Sequence, residues 1–157
     1  MGKSKSYGMN TKALHANKKF EPISGDIMPP LHLSTTYKND VPGESEYFYG
    51  RVNNPTRELF ERTLASLEGI ENYEEIHALA MASGMSAVSL IAELVKPGEN
   101  VVITKDVYGG TTNYFSKIVT ERGVEVNFCD FSDTEKLKSL LNDKTKLAWI
   151  ESPSNPS

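Results

Sequence analysis

Three short stretches of this chain carry residue types that could hold an anion and a flat ring. Ser83-Gly84-Met85-Ser86 follows one apolar run and opens a helical pattern. A glycine at such a turn leaves backbone amides bare at the positive end of a helix, where a phosphate binds readily. Tyr108 stands just before Gly109-Gly110, in a turn that the glycines should keep from being regular helix, and its ring could stack on a planar ligand. Tyr49-Gly50-Arg51 brings a phenol close to a guanidinium, a pair suited to clamping a phosphate by charge-assisted hydrogen bonds. Each stretch also has a plainer reading: a glycine needed for a turn, a tyrosine packed beneath a loop, a surface salt bridge.

Other chemistries find less support. His15, His32 and His77 share no ligand spacing, and paired cysteines, HExxH, Walker and GxGxxG patterns are all missing from the 157 residues, so no metal or nucleotide site is expected. His77 lies in an apolar run and reads as a hydrogen-bonded core residue. The single cysteine, Cys129, cannot form an internal disulfide and reads as a small core residue, which suits a reducing compartment such as the cytoplasm. Seventeen basic against 21 acidic residues leave a net charge of -4, with no concentrated basic face to attract nucleic acid. No apolar stretch approaches a membrane span. Met1-Gly2-Lys3-Ser4-Lys5-Ser6 formally fits a myristoylation pattern but reads as a solvated basic tail, and Asn54 and Asn155 are each followed by proline, which bars glycosylation.

The elements that must position these residues follow from periodicity. Residues 1–53 are polar and non-periodic, punctuated by Pro22, Pro29, Pro30 and Pro42, and are expected to form an extended arm packed on the body or on a neighbouring subunit. Asn54-Pro55-Thr56 opens a helix through Leu59, Phe60, Leu64 and Leu67 that Gly69 should stop. Beyond it, apolar runs at Ile76 to Met81, Val101 to Thr104, Val124 to Phe128 and Leu147 to Ile150 read as strands. Helical patterns separate them, at Met85 to Lys96, Thr111 to Arg122 and Asp133 to Leu141. Alternation at this spacing predicts an α/β fold over residues 54–157, with a mainly parallel sheet and helices on both faces. In such sheets ligands bind beyond the carboxyl ends of the strands, the edge where residues 83–86, 106–112 and 151–156 should meet.

Five segments in order then resemble one family. They are Pro30-Leu31-His32-Leu33-Ser34-Thr35-Thr36-Tyr37, Tyr49-Gly50-Arg51-Val52-Asn53-Asn54-Pro55-Thr56-Arg57, Ser83-Gly84-Met85-Ser86-Ala87, Asp106-Val107-Tyr108-Gly109-Gly110-Thr111 and Glu151-Ser152-Pro153-Ser154-Asn155-Pro156. Together they are similar to the trans-sulfuration family of pyridoxal-phosphate enzymes, which includes cystathionine γ-lyase, γ-synthase and β-lyase and methionine γ-lyase. The resemblance implies that the Gly84 and Met85 amides hold the cofactor phosphate. It also implies that Tyr49 and Arg51 reach into a neighbouring subunit's site, so that the enzyme is a homo-oligomer, a dimer of dimers. Tyr108 would stack on the pyridine ring and move protons at the substrate's amino group, Asn155 would lie near the ring hydroxyl, and Glu151 would support the site from outside direct cofactor contact.

Methionine γ-lyases typically carry cysteine where this chain has Gly110, so the resemblance favours cystathionine chemistry, closest to cystathionine γ-lyase. That chemistry is γ-elimination to cysteine, 2-oxobutanoate and ammonia, with γ-synthase or methionine γ-lyase activity as alternatives. Asn113 stands where an arginine is frequent, and Glu71 to His77 is longer and more acidic than the family pattern. The lysine that anchors the cofactor in this family falls after the last segment, so the chain by itself is expected to be an inactive N-terminal part. A catalytically dead short protein that binds a full-length relative is the other possibility.

Overall fold

A computed structural model describes residues 7–15, 25–41, 43–70 and 78–154. The chain divides into two compact units, Met1–Ala80 and Met81–Ser157.

In the first unit, helix α1 (Met9–His15) interrupts the stretch expected to be non-periodic. Its residues precede Pro22, so none of the prolines blocks it. It packs against α2 (Pro55–Leu67), with Lys12 Nζ donating to the Ser66 carbonyl at 3.3 Å. Helix α2 begins where its sequence directs. The Asn54 side chain accepts from the amides of Thr56 and Arg57 at 2.9 and 3.2 Å, Pro55 takes the first turn, and Gly69 follows the end at φ +90°. What α2 buries is not its apolar stripe. Glu58, Glu61, Ala65 and Ser66 are buried while Phe60 is 54% exposed.

Buried carboxylates must be satisfied to persist. Glu58 accepts from Tyr47 Oη at 2.8 Å, Arg62 Nε at 2.7 Å and Asn53 Nδ2 at 3.4 Å, and Glu61 accepts from the Ala80 amide at 2.8 Å. Burial works against the charge on Glu58, yet these donors outweigh it and hold its carboxyl below the usual range. Burial and the same bond push the Tyr47 phenol up.

The second unit is a three-stranded parallel sheet in the order β2-β1-β3, built from β1 (Asn100–Thr104), β2 (Glu125–Cys129) and β3 (Thr145–Trp149). Strand β1 is central, and its Val101, Val102 and Ile103 are fully buried, as a parallel strand covered on both sides requires. Val101 and Ile103 pack with Val88 and Ala92 of α3 (Gly84–Ala92), with Val95, and with Val107, Phe115 and Val119 around α4 (Gly109–Tyr114). Each buried valine, isoleucine or phenylalanine among them contributes roughly 1.5–3 kcal/mol of transfer from water. Asn100 faces the opposite side, where its Nδ2 donates to the carbonyl of Leu140 at the end of α5 (Thr134–Leu140), 2.8 Å away. Helical segments therefore flank both sides of an α/β sheet.

Besides helix α1, the fold departs from the sequence reading at three places. No strand forms at residues 78–81, the described part of the first predicted strand, and Leu79 is 66% exposed there. A strand exists only through a hydrogen-bonded neighbour, and each of the three strands formed pairs with another of the three. Helix α3 stops at Ala92 rather than Lys96: amides of Leu94 and Val95 turn back three residues to Ile91 and Ala92, and Pro97 disfavours helical geometry at Lys96. Helix α4 starts at Gly109, inside the turn thought unable to be helical, because two glycines in a first turn cost only about 1 kcal/mol each. The run then continues through a π turn over Phe115–Val119 and a 3-10 turn over Thr120–Arg122.

Candidate active site

The strands run parallel, so the segments leaving β1 and β3 emerge at one edge. Helix α3 opens on Ser83, whose Oγ accepts from the Ser86 amide at 3.2 Å and lies 3.0 Å from Ser86 Oγ. The amides of Gly84 and Met85 meet no acceptor among the described residues, and a Cβ built on Gly84 would find open space. Two unused donors at a helix N-terminus, with open space where a Gly84 side chain would stand, offer partial positive charge suited to a phosphate.

Tyr108 caps α4 through its carbonyl, which accepts from the Thr112 amide at 3.1 Å, and the residue is 49% exposed. Its ring lies against Gly110. A Cβ there would sit 3.0 Å from Tyr108 Cδ1, closer still to Cε1, and 2.9 Å from Met85 Sδ. Gly110 thus leaves the space in which the Tyr108 ring and the start of α3 come side by side, and any larger residue would displace the ring. A phosphate cradle beside an open aromatic face suits a planar, phosphorylated ligand.

Glu151 closes the back of this arrangement. Its Oε2 accepts from the Tyr108 amide at 2.7 Å, and its Oε1 accepts from Thr111 Oγ1 at 2.8 Å and from Trp149 Nε1 at 3.1 Å. Partial burial opposes the charge, but the three donors win and hold the carboxyl below its ordinary value. Thr111 is 1% exposed, and the Trp149 ring sits 5.9 Å from that of Phe115 in the core.

Of the residues singled out from sequence, Gly84, Met85 and Tyr108 come together in the second unit. Tyr49 and Arg51 lie in the first, where the Arg51 guanidinium stands 5.0 Å over the Tyr49 ring. Their segment is strapped down: Tyr49 bridges Thr36, the Gly50 amide donates to Thr35 at 2.7 Å, and Arg57 gathers the carbonyls of Gly50, Arg51 and Val52 at 3.3, 3.4 and 2.7 Å. Gly50 is required there, since a Cβ would come within 2.9 Å of the Ser34 carbonyl. Asn155, His77 and Gly2 lie outside the described residues.

Lys105, in the segment leaving β1, pairs with Asp130 at 2.9 Å, which raises its amine above the usual value. Burial raises the Cys129 thiol, in keeping with a core role. Sequence reasoning passed over Arg57, Thr111 and Trp149. Arg57 and Thr111 were signalled by their places at the ends of the Asn-Pro-Thr-Arg and Tyr-Gly-Gly-Thr runs, while Trp149 carried no local mark. Among the described residues no cluster of candidate metal ligands forms, and no helix is long and apolar enough to cross a membrane.

Comparison with known proteins identifies relatives along nearly the whole chain. The chain is 40% identical over 149 residues to cystathionine gamma-lyase of Bos taurus, covering 94% of this chain and 36% of that one. It is 39% identical over 155 residues to cystathionine beta-lyase of Coxiella burnetii, covering 98% and 39%. The crystal structure of metB from Corynebacterium glutamicum superposes with a TM-score of 0.86 at 35% identity, over 96% of this chain and 39% of that one. A Micromonospora echinospora enzyme, described in one structure as a cystathionine gamma lyase and in another as a methionine gamma lyase, gives 0.85 and 0.83 at 38% and 37% identity. The chain spans about two-fifths of the length of these relatives. The sequence profile of one family matches residues 10–157, and this chain belongs to that family, the PLP-dependent enzymes of Cys/Met metabolism.

Proposed function

We propose that these residues form the cofactor-gripping part of a trans-sulfuration enzyme of cystathionine γ-lyase type, which cleaves cystathionine to cysteine, 2-oxobutanoate and ammonia. The observation that carries this reading is the pair of unused amides at Gly84 and Met85 beside the exposed Tyr108. Pyridoxal 5'-phosphate, the cofactor of the family, fits this donor set, since it joins a phosphate to a flat ring. Bound there, it supplies an electron sink for charge developed at the substrate α-carbon.

The chain's own residues do the rest. The Gly84 and Met85 amides donate to phosphate oxygens, and Ser83 and Ser86 border the same cradle. Tyr108 holds the ring plane from one side, and its Oη takes and returns a proton at the substrate's amino nitrogen. Tyr49 and Arg51, presented rigidly by Arg57, grip the phosphate of a neighbouring subunit, which makes the working enzyme a homo-oligomer, a dimer of dimers in the cytoplasm. Residues 1–53 serve as the arm and 54–157 as the first part of the cofactor domain.

Gly110 stands where methionine γ-lyases typically carry cysteine, and by that resemblance the chain is assigned to cystathionine rather than methionine; a side chain at this position would meet the Tyr108 ring. The full-length chain carrying this segment should be assayed side by side with cystathionine, homocysteine, cysteine and methionine. Release of 2-oxobutanoate fastest from cystathionine is expected. A preference for methionine would overturn the assignment, as would a γ-synthase reaction that outpaces cleavage.

A further inference from the structure

We propose that Glu151 is the positioning residue for Tyr108: its carboxylate ties the exit of β3 to the start of α4 and so sets where the Tyr108 ring stands. The inference rests on the reading of Tyr108 as the residue that stacks on the cofactor, and adds to it the group that holds that tyrosine in place.

The geometry is specific to a carboxylate. Three donors converge on two oxygens, namely the Tyr108 amide at 2.7 Å, Thr111 Oγ1 at 2.8 Å and Trp149 Nε1 at 3.1 Å. An amide and an indole N–H only donate, so the residue between them needs acceptors on both of its ends. Glutamine would offer one acceptor and turn an N–H group toward Trp149 or Tyr108.

The anchors are themselves fixed. Trp149 lies in β3, paired in register with Ile103 of the central strand, and Thr111 is buried in α4. Tyr108, by contrast, has no side-chain cap bond at the N-terminus of α4, and the residue is half exposed. Beside the core packing of Val107, the Glu151 bond to its amide ties the Tyr108 backbone to the segment leaving β3. Carboxylate charge at the start of α4 also suits the helix dipole.

Amide hydrogen exchange of the cofactor-free, full-length protein tests the clamp without reference to activity. In Glu151→Gln the Tyr108 amide should exchange about tenfold faster or more, the scale of a lost charge-assisted bond, while amides of β1 keep wild-type protection. Thr111→Val, which removes one donor and leaves the Tyr108 bond, should accelerate it less. Glu151→Asp, one methylene too short to span all three donors, should resemble Glu151→Gln and carries the test if the glutamine variant fails to fold. In the loaded protein, Glu151→Gln should reduce the visible circular dichroism of the bound cofactor and lower kcat about tenfold with little change in KM. Wild-type exchange at Tyr108 in both Glu151 variants would overturn the clamp. Tyr108→Ala is the control on the reading beneath it: an unchanged cofactor spectrum in that variant would sink the stacking role itself, whatever Glu151 does.

Discussion

At Tyr108 the backbone and the ring answer to different constraints, the first to Glu151 and the second to the empty space over Gly110. The two ends of the side chain can therefore be separated by mutation. Tyr108→Phe keeps the ring and loses Oη, so cofactor binding should stay near wild type while kcat falls by roughly 10²–10⁴, the range for a lost proton-transfer group. Spectral titration with cofactor beside steady-state kinetics checks this. Gly110→Ala should show the opposite split. Alanine raises helix propensity by about 1 kcal/mol, and its Cβ meets the ring of a half-exposed residue that can swing away, so thermal stability should hold or rise. The displaced ring should nonetheless alter the circular dichroism of the bound cofactor. A large fall in melting temperature would mean that the ring is packed rather than free to move.

At the scale of elements, α2 carries the first unit's organisation through one residue. Asn54 caps two amides with Oδ1 while its Nδ2 donates to the His32 carbonyl at 3.0 Å and to Tyr37 Oη at 3.3 Å. A cap alone is worth about 1 kcal/mol, and each further bond adds about 1 kcal/mol. Asn54→Ala should cost about 2 kcal/mol or more in denaturant unfolding of the full-length chain. A loss under about 0.5 kcal/mol, at the low end for caps, would show that the arm contributes nothing through this residue. The cap was legible in the sequence because a cap is local: Asn54, Pro55 and Gly69 act within a few residues of themselves. The strand expected at Ile76 to Met81 was not governed locally, since an apolar run forms a strand only where a partner ladder meets it.

For the whole molecule, carboxylates held by donors in the fold set the acid limit: the exposed Asp130 beside Lys105, and the more enclosed Glu58 and Glu151. Glu58 and Glu151 are both held below the ordinary glutamate value of 4.5. Their folded forms bind protons less readily than the unfolded chain, so their stabilisation is complete above about pH 4.5 and is lost as pH falls through the folded values. Unfolding free energy should drop on that acid side, and Glu58→Gln should flatten the slope. The raised Tyr47 phenol works at the other limit, where stability should decline as pH climbs above 10. The 157-residue chain mixed with pyridoxal phosphate and then borohydride should leave no single lysine labelled. Lys105, the one nearest the site in sequence, is kept protonated by Asp130 and is a poor nucleophile. Stoichiometric label on one lysine, found by peptide mapping, would contradict this.

Sequence alone determined the order of the motifs, the α/β alternation after residue 84, the start and stop of α2, and the resemblance through which the family was read. All of these rest on spacing within a few residues or on motif order along the chain. Tertiary structure decided that Glu58 and Glu61 are buried while Phe60 is not, that α4 begins at Gly109, and that Glu151 serves Tyr108 and Thr111 from 43 and 40 residues away. For the three carboxylates the reason is the same. A polar side chain carries no mark of which distant donors will meet it, and only the folded chain brings those donors within bonding distance.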